Sequence, residues 1–358
     1  MAKKLIIVWL SLTIVFFSSI SIYADENVQG DYFVKHVVIN GAEIVNRNLQ
    51  YPFLLLGYTT YFPLTPEMGE ICGFTAEMDW ESRTLKLLKT DSTRSNISSN
   101  WMKNNGDPMN LTILSGTRVL VYDDRDESNE SEVLSAFDSS VHEMDMDGLP
   151  VLAIGKTVFL PLRAMQDDSS FGWNLYFDSY YGVCISTKPG VKAETFCDKK
   201  ESLYNQGLAQ YIRNYNSGIS KTYAQQLVFM FKDAAKSYGV DEKVLMAIAH
   251  KESTFNASAV SGGGAVGLMQ IMPGTAKGYG VTITQLYDAR VNINIGAALI
   301  GAKLTAYGGD YVKALSAYNQ GSLRVNRGTH STAYASRVLA ANSGIGNYLL
   351  SNGYVAQI

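Results

Sequence analysis

Glu252 is the residue from which chemistry can be read first. It stands three, four and seven positions after Ala249, Ile248 and Leu245, so one helix face carries three apolar side chains and then a carboxyl. A buried carboxylate is costly unless it is paired or neutral. Desolvation raises its pKa, and a carboxyl that keeps its proton near neutral pH is what a general acid for an ether-like leaving oxygen requires. The same placement suits a structural Glu that pairs with a Lys or caps a neighbouring helix. The stripe alone does not separate the two.

The residues that follow add groups able to read hydroxyls and amides. Ser261-Gly262-Gly263-Gly264-Ala265 cannot form a regular element. Gly267-Leu268-Met269-Gln270-Ile271 then leads into Met272-Pro273-Gly274, where Pro273 suits the first turn of a helix. Glycine lets backbone approach a ligand closely, and Gln270 offers donors and an acceptor. Taken alone, the glycine run is equally a plain turn and Met269 a core residue. Further on, Asp310 is placed to cap a helix with Tyr311, Leu315 and Tyr318 on one face and a stop at Gly321, which puts Tyr318 and Asn319 at its end. Upstream, Leu227, Phe231, Ala234, Ala235 and Tyr238 fall at helical spacing with Gly239 as the stop, and Asp241 caps the helix of Glu252. From Thr222 onward the chain is expected to be helices joined by short loops.

Four segments agree in order and spacing: Lys251-Glu252-Ser253, Gly267-Leu268-Met269-Gln270, Ala317-Tyr318-Asn319-Gln320-Gly321, and Tyr334 within Ala333-Tyr334-Ala335-Ser336-Arg337-Val338. Leu286-Tyr287-Asp288 and Asn292-Ile293-Asn294-Ile295-Gly296 fit between them. In this pattern residues 220–348 resemble the soluble lytic transglycosylases. Departures are small: the run at Gly262, Gly263 and Gly264 is rich in glycine, and Ala335 stands where a bulkier residue is common. The resemblance implies an all-α, lysozyme-like catalytic domain over 221–358, acting on peptidoglycan glycan strands with no cofactor and no metal. It implies cleavage of the β-1,4 bond between N-acetylmuramic acid and N-acetylglucosamine with formation of a 1,6-anhydro-muramic end. Glu252 is implied as the catalytic acid and then base, and Ser253, Gly267, Met269, Gln270, Tyr318, Asn319 and Tyr334 as the substrate-binding set.

Two other readings stand beside it. A goose-type lysozyme-like hydrolase shares the fold and the acid but activates water with an opposed carboxylate about 6.5–9.5 Å away. Residues 256–266 contain no Asp or Glu, which leaves Asp288 or Asp310 to approach in space. A non-catalytic peptidoglycan-binding protein would keep the groove but has no need of Glu252 and Gln270 together.

The chain has 358 residues, 46% hydrophobic and 18% charged, which is enough apolar material for two or three domains and excludes disorder throughout. The net charge of −3 points to no polyanionic partner, and no nucleic acid is expected. The charge is unevenly spread. Residues 221–358 carry 12 Lys and Arg against 6 Asp and Glu, a net of +6, so residues 1–220 carry −9. Two units with different tasks are implied, the cationic one suited to a mesh rich in carboxylates.

The acidic half contains a repeat. Gly57-Tyr-Thr-Thr-Tyr-Phe-Pro-Leu64 and Gly155-Lys-Thr-Val-Phe-Leu-Pro-Leu162 are followed by Gly73-Phe74 and Gly172-Trp173, then by Met78-Asp79 and Phe177-Asp178, at an offset of 98–99 residues. A duplicated unit accounts for this. Each copy reads as a β-hairpin, a short helix (residues 63–72 and 161–170) and a β-pair, with strands at 84–89 and 180–187. The pattern resembles the stalk domain named after the N-terminal region of copper amine oxidases, although residues 91–148 are polar and depart from it. No copper is implied, because the ligand set is missing. Such a stalk would touch other cell-wall polymers or envelope proteins. The expected architecture is multidomain: an α+β duplicated stalk domain (two repeats, 25–189), a linker with one short helix (190–220), and the all-α lysozyme-like catalytic domain (221–358).

Lys3 and Lys4, the apolar residues 5–22 and Ala24 before Asp25 read as an export signal over residues 1–24, giving a secreted, extracytoplasmic protein of the cell envelope. The apolar run of about 18 residues also suits an uncleaved membrane anchor. Cys72, Cys184 and Cys197 form no disulfide framework; either Cys184 and Cys197 close a small loop or all three stay as thiols. His36, His142, His250 and His330 are scattered and give no zinc pattern. Glu143, Asp145, Asp147 and Gly148 look like the start of a calcium loop, but Ile154 occupies its last ligand position, so a solvated acidic turn is expected.

Overall fold

The structure is a computed structural model that describes residues 25–95, 103, 104, 106, 108–123 and 141–356. The expected export signal, residues 1–24, lies outside the described residues.

The repeat is visible as two runs of elements in the same order. The first comprises β1 (Glu26–Tyr32), β2 (His36–Ile39), β3 (Ala42–Glu43), β4 (Leu54–Leu56), β5 (Thr59–Pro63), α1 (Pro66–Cys72), β6 (Phe74–Asp79) and β7 (Thr84–Lys89). The second comprises β8 (Met109–Ile113), β9 (Arg118–Asp123), β10 (Val141–Glu143), β11 (Leu152–Ile154), β12 (Thr157–Pro161), a 3-10 turn (Leu162–Gln166), β13 (Asn174–Asp178) and β14 (Gly182–Ser186). Six strands close a barrel in the order β1-β4-β5-β12-β11-β8. Where the copies meet, Tyr61 pairs with Pro161, Phe62 with Leu160 and Pro63 with Phe159, so equivalent residues exchange partners about a two-fold centred on Phe62 and Leu160. The remaining strands form two sheets, β10-β9-β7-β6 and β13-β14-β2-β3. In each, the last strand of one copy pairs in parallel with a strand of the other, β7 with β9 and β14 with β2. Neither copy completes its sheets alone. The two Gly-aromatic pairs of the repeat converge, the Phe62 ring lying 6.1 Å from Phe74 and 5.6 Å from Trp173 in one shared core.

Two expectations give way here. Residues 25–189, expected as an α+β stalk, are β-rich where they are described. Thr65 caps α1, Pro66 occupies its first turn, and Gly73 ends it at φ 78°, with Thr90 O 2.5 Å from where a Cβ would sit. The second copy has no side-chain cap after Pro161, and only the 3-10 turn forms. The segment 190–220, read as a linker with one short helix, instead holds the 17-residue helix α2 (Lys199–Tyr215), capped by Asp198. Its Leu208, Ala209, Tyr211 and Ile212 are buried in the core of the helical region. The polar residues that signal a linker are structural: Asn205 donates to Tyr180 O at 2.8 Å and accepts from Lys232 Nζ at 2.9 Å. Gly207 lets Leu349 and Tyr354 approach to 2.5 Å of its missing Cβ.

The helical region continues with α3 (Lys221–Tyr238), α4 (Glu242–Ser253), α5 (Pro273–Gly278), α6 (Ala289–Ala306), α7 (Tyr311–Gln320), α8 (Ser322–Asn326) and α9 (Ala333–Ser351). The stops and caps are those the sequence indicates: Gly239 at φ 64°, Asp241 accepting from Lys243 N, Asp310 accepting from Lys313 N, and Gly321 after α7. Leu245, Ile248 and Ala249 of α4 are fully buried.

Charge joins the two regions. His36 places Nδ1 3.0 Å from Glu43 and Nε2 2.9 Å from Glu201, and its ring stacks on Tyr181 at 4.7 Å. Burial would push the imidazole down, but the hydrogen bonds to Glu201 and Glu43 outweigh it and its pKa is raised. Buried Arg47 donates to Asp233 of α3 at 2.7 Å. Cys184 and Cys197 are buried thiols in a small cluster with Val38, Tyr181 and Ala193.

Candidate active site

Glu252 occupies the last turn of α4 and is half-buried. Thr254 and Phe255 follow with positive φ of 52° and 58°, which reverses the chain sharply and seats Phe255 in the core. The reversal brings the 256–271 loop beside the carboxyl. Two bridges hold this loop, Val260 with Val266 and Val266 with Ile271. Ser253 Oγ lies 2.8 Å from Leu268 O and 3.1 Å from Ala249 O, and accepts from Asn256 N at 3.2 Å. Its one proton is shared between two carbonyls, so Ser253 ties α4 to the loop.

The Gly267–Gln270 stretch is braced from α6. Fully buried Asn292 accepts from Met269 N at 2.8 Å and donates to Val266 O at 2.8 Å and Leu286 O at 2.9 Å. Gly267 sits at φ 81°, and a Cβ there would run into the Asn292 amide and come within 2.6 Å of Leu286 O. Met269 is fully buried, its sulfur lodged against Gly296. Gln270, at φ 50°, donates its amide to Gly267 O at 3.0 Å and Ala259 O at 3.2 Å, leaving the side-chain oxygen as its remaining polar group.

Two phenols complete the arrangement. Tyr334, in the first turn of α9, donates to Glu252 Oε1 at 2.6 Å. Tyr318, in the last turn of α7, donates to Met269 O at 2.8 Å. Burial pushes both phenols far up, so both remain protonated donors. Asn319 is exposed at the end of α7. Glu252, Tyr334, Tyr318, Met269, Gly267, Gln270 and Ser253 thus belong to one connected site.

Electrostatics favour an acid at Glu252. Burial raises its pKa, against opposing influences from the Tyr334 hydrogen bond and the Arg337 charge. No other carboxylate acts on it among the described residues. The two candidates for a water-activating partner are engaged elsewhere: Asp288 caps α6 by accepting from Val291 N at 2.9 Å, and Asp310 caps α7 by accepting from Lys313 N at 3.0 Å. A general acid works only while protonated, so activity should fall on the alkaline side as Glu252 ionises. Arg337 favours the ionised form. Arg337→Gln is therefore expected to raise the Glu252 pKa and move the alkaline limb of kcat/KM to higher pH. A limb that stays in place in pH-rate measurements removes Arg337 from control of the acid.

Asn292 and Arg337 carry no role in the sequence reading. A polar residue among Ile293, Ile295, Gly296 and Ala297 is a usable signal for the first. Arg337 becomes significant only through its proximity to Glu252.

Residues 229–337 match the family model described as the Transglycosylase SLT domain. Among curated proteins, the chain is 41% identical over 106 residues to a transglycosylase of Enterobacteria phage PRD1, covering 30% of this chain and 39% of that one. It is 32% identical over 125 residues to the membrane-bound lytic murein transglycosylase E of Buchnera aphidicola, covering 32% and 48%. It is 37% identical over 105 residues to the soluble lytic murein transglycosylase of Escherichia coli K12, covering 27% and 16%. The chain thus spans less than half the length of these relatives. Glu252, the braced loop, Tyr318 and Tyr334 all lie inside residues 229–337, the stretch similar to the Transglycosylase SLT domain.

Proposed function

We propose that the protein is a peptidoglycan lytic transglycosylase that cleaves the β-1,4 bond between N-acetylmuramic acid and N-acetylglucosamine and leaves 1,6-anhydro-muramic ends. The observation that carries this reading is the setting of Glu252: half-buried, held by the Tyr334 phenol at 2.6 Å, and raised in pKa by burial. Glu252 gives its proton to the glycosidic oxygen as the C1–O bond breaks. The sugar's own N-acetyl group stabilises the cationic C1. The resulting carboxylate takes the proton of the muramic C6 hydroxyl while O6 bonds to C1, so the acid is restored and no water is consumed. Proton transfer of this kind contributes about 100- to 10,000-fold, and positioning by the braced loop supplies a further share.

Gln270 offers its side-chain oxygen and exposed Asn319 its amide to sugar hydroxyls and N-acetyl groups, whereas Ser253, Gly267 and Met269 shape the loop from behind. The protein is proposed to act outside the cytoplasm in cell-wall remodelling, delivered by the signal at residues 1–24, with the copper amine oxidase N-terminal-like stalk over 25–189 as an attachment module. Mass spectrometry of digested sacculi tests the reaction. Anhydro ends are expected. Reducing ends would assign a goose-type hydrolase, and an absence of fragments would leave a binding protein.

A further inference from the structure

The β region and the helices meet along a groove that the lytic reading leaves without a role. Two cavities of about 630 and 650 Å³ form it, and they share Pro108, Asp288 and Arg290. Each is large enough for a small ligand; joined, they suit a linear one. Aromatic side chains on its walls face solvent: Tyr58 is 99% exposed, Phe177 53%, Tyr279 46% and Tyr287 42%. Exposed rings in such a cluster mark a binding surface rather than a core.

The duplication supplies an internal control. The repeat places Lys156 opposite Tyr58 and half-buried Met78 opposite Phe177. The same hairpin and the same strand therefore form without either ring. Tyr58 and Phe177 line the groove beside helix residues, whereas Lys156 lines a pocket of the β region and Met78 packs on its core. At the point the cavities share, the Arg290 guanidinium lies over the Tyr32 ring at 5.1 Å, and its Nη1 is buried without a hydrogen-bond partner among the described residues. Such an orphaned donor calls for an oxygen-bearing ligand. Asp31, Asp178 and Asp288 line the groove beside Lys35 and Arg290, a mixed lining that disfavours apolar lipid chains and the dense phosphate charge of nucleic acid but admits a sugar chain with few charges. Flat rings beside carboxylates, amides and a guanidinium match a β-linked sugar chain, whose C–H faces are apolar and whose edges carry hydroxyls and acyl groups.

We propose that this groove is a second binding site for peptidoglycan glycan strands, distinct from the site of Glu252, through which the β region holds the polymer while the helical domain cuts it. The inference rests on the lytic reading above. It is tested on the whole chain with Tyr58→Lys and Phe177→Met combined, residues the fold already accepts at the equivalent positions. In a Glu252→Gln background, binding to stem-peptide-free glycan strands should weaken at least about tenfold, equivalent to about 1.4 kcal/mol. With Glu252 intact, cleavage of a soluble muramyl tetrasaccharide should be unchanged. Unaltered strand binding overturns the proposal, and so does loss of tetrasaccharide cleavage, which would place the two rings in the catalytic site. If the parent releases anhydro fragments while the double variant binds strands normally, only this inference falls. If the parent neither binds nor cuts sacculi, the lytic reading falls and takes this one with it.

Discussion

Glu252→Gln is expected to lower the rate of sacculus lysis at least about 100- to 10,000-fold, the share that a positioned acid and base contributes, while leaving fold and glycan binding intact. Gln keeps the size of the side chain and an oxygen to accept the Tyr334 hydrogen bond, now 2.6 Å long. What it lacks is the proton for the leaving oxygen and the carboxylate that later takes the C6 hydroxyl proton. Stability should move the other way. Burial raises the Glu252 pKa in the folded protein, so the folded state binds this proton more tightly than the unfolded chain. Its contribution is then lost as pH rises from the unfolded pKa through the folded one. The Gln variant does not suffer that loss, and its melting temperature at pH 7 should equal or exceed the parent's. Parent-like clearing of cell walls by Glu252→Gln would end the catalytic assignment.

Asn292→Ala should damage both fold and rate without touching substrate. The side chain is fully buried and joins three backbone groups, Met269 N, Val266 O and Leu286 O. Val266 O keeps a second partner, Ile271 N at 3.0 Å. The Met269 N–H loses its acceptor, and an unsatisfied buried donor together with the space left behind costs about 2–4 kcal/mol. That corresponds to a fall in melting temperature of roughly 5–15 °C. The same loop carries Met269 O, on which the Tyr318 phenol is anchored at 2.8 Å. A displacement of the loop by about 1 Å is enough for a roughly 100-fold loss of rate. Thermal unfolding and lysis assays well below the transition separate the two effects. A variant with parental rate and parental stability would show that the loop holds its shape without Asn292.

The local features were legible in the sequence because they depend on neighbours within a few residues. The stripe of Leu245, Ile248, Ala249 and Glu252 follows from helical period, and the caps at Asp241 and Asp310 and the stops at Gly239 and Gly321 follow from unpaired backbone groups at helix ends. The duplication was legible as well, because repeated residues need no knowledge of where they meet. What the sequence hid lies in partners distant along the chain. Asn205 and Gly207 read as linker residues, yet one is buried against Tyr180 and Lys232 and the other makes room for Leu349 and Tyr354. A turn-forming composition and a close-packing composition use the same small and polar residues.

A carboxyl on the apolar face of a helix, a glycine-bearing loop after it and a repeated pattern in the acidic half are all readable from the order of residues. That Tyr334, 82 residues away, donates to Glu252, that Ser253 and the Gln270 amide bind backbone, and that the two copies exchange strands β2 and β9 emerges from the closed fold alone. The physical reason is the same in each case. Helical period and capping are set by hydrogen bonds within one turn, whereas the state of a buried proton and the pairing of a sheet edge are set by whichever distant group the closed fold brings within 3 Å or so.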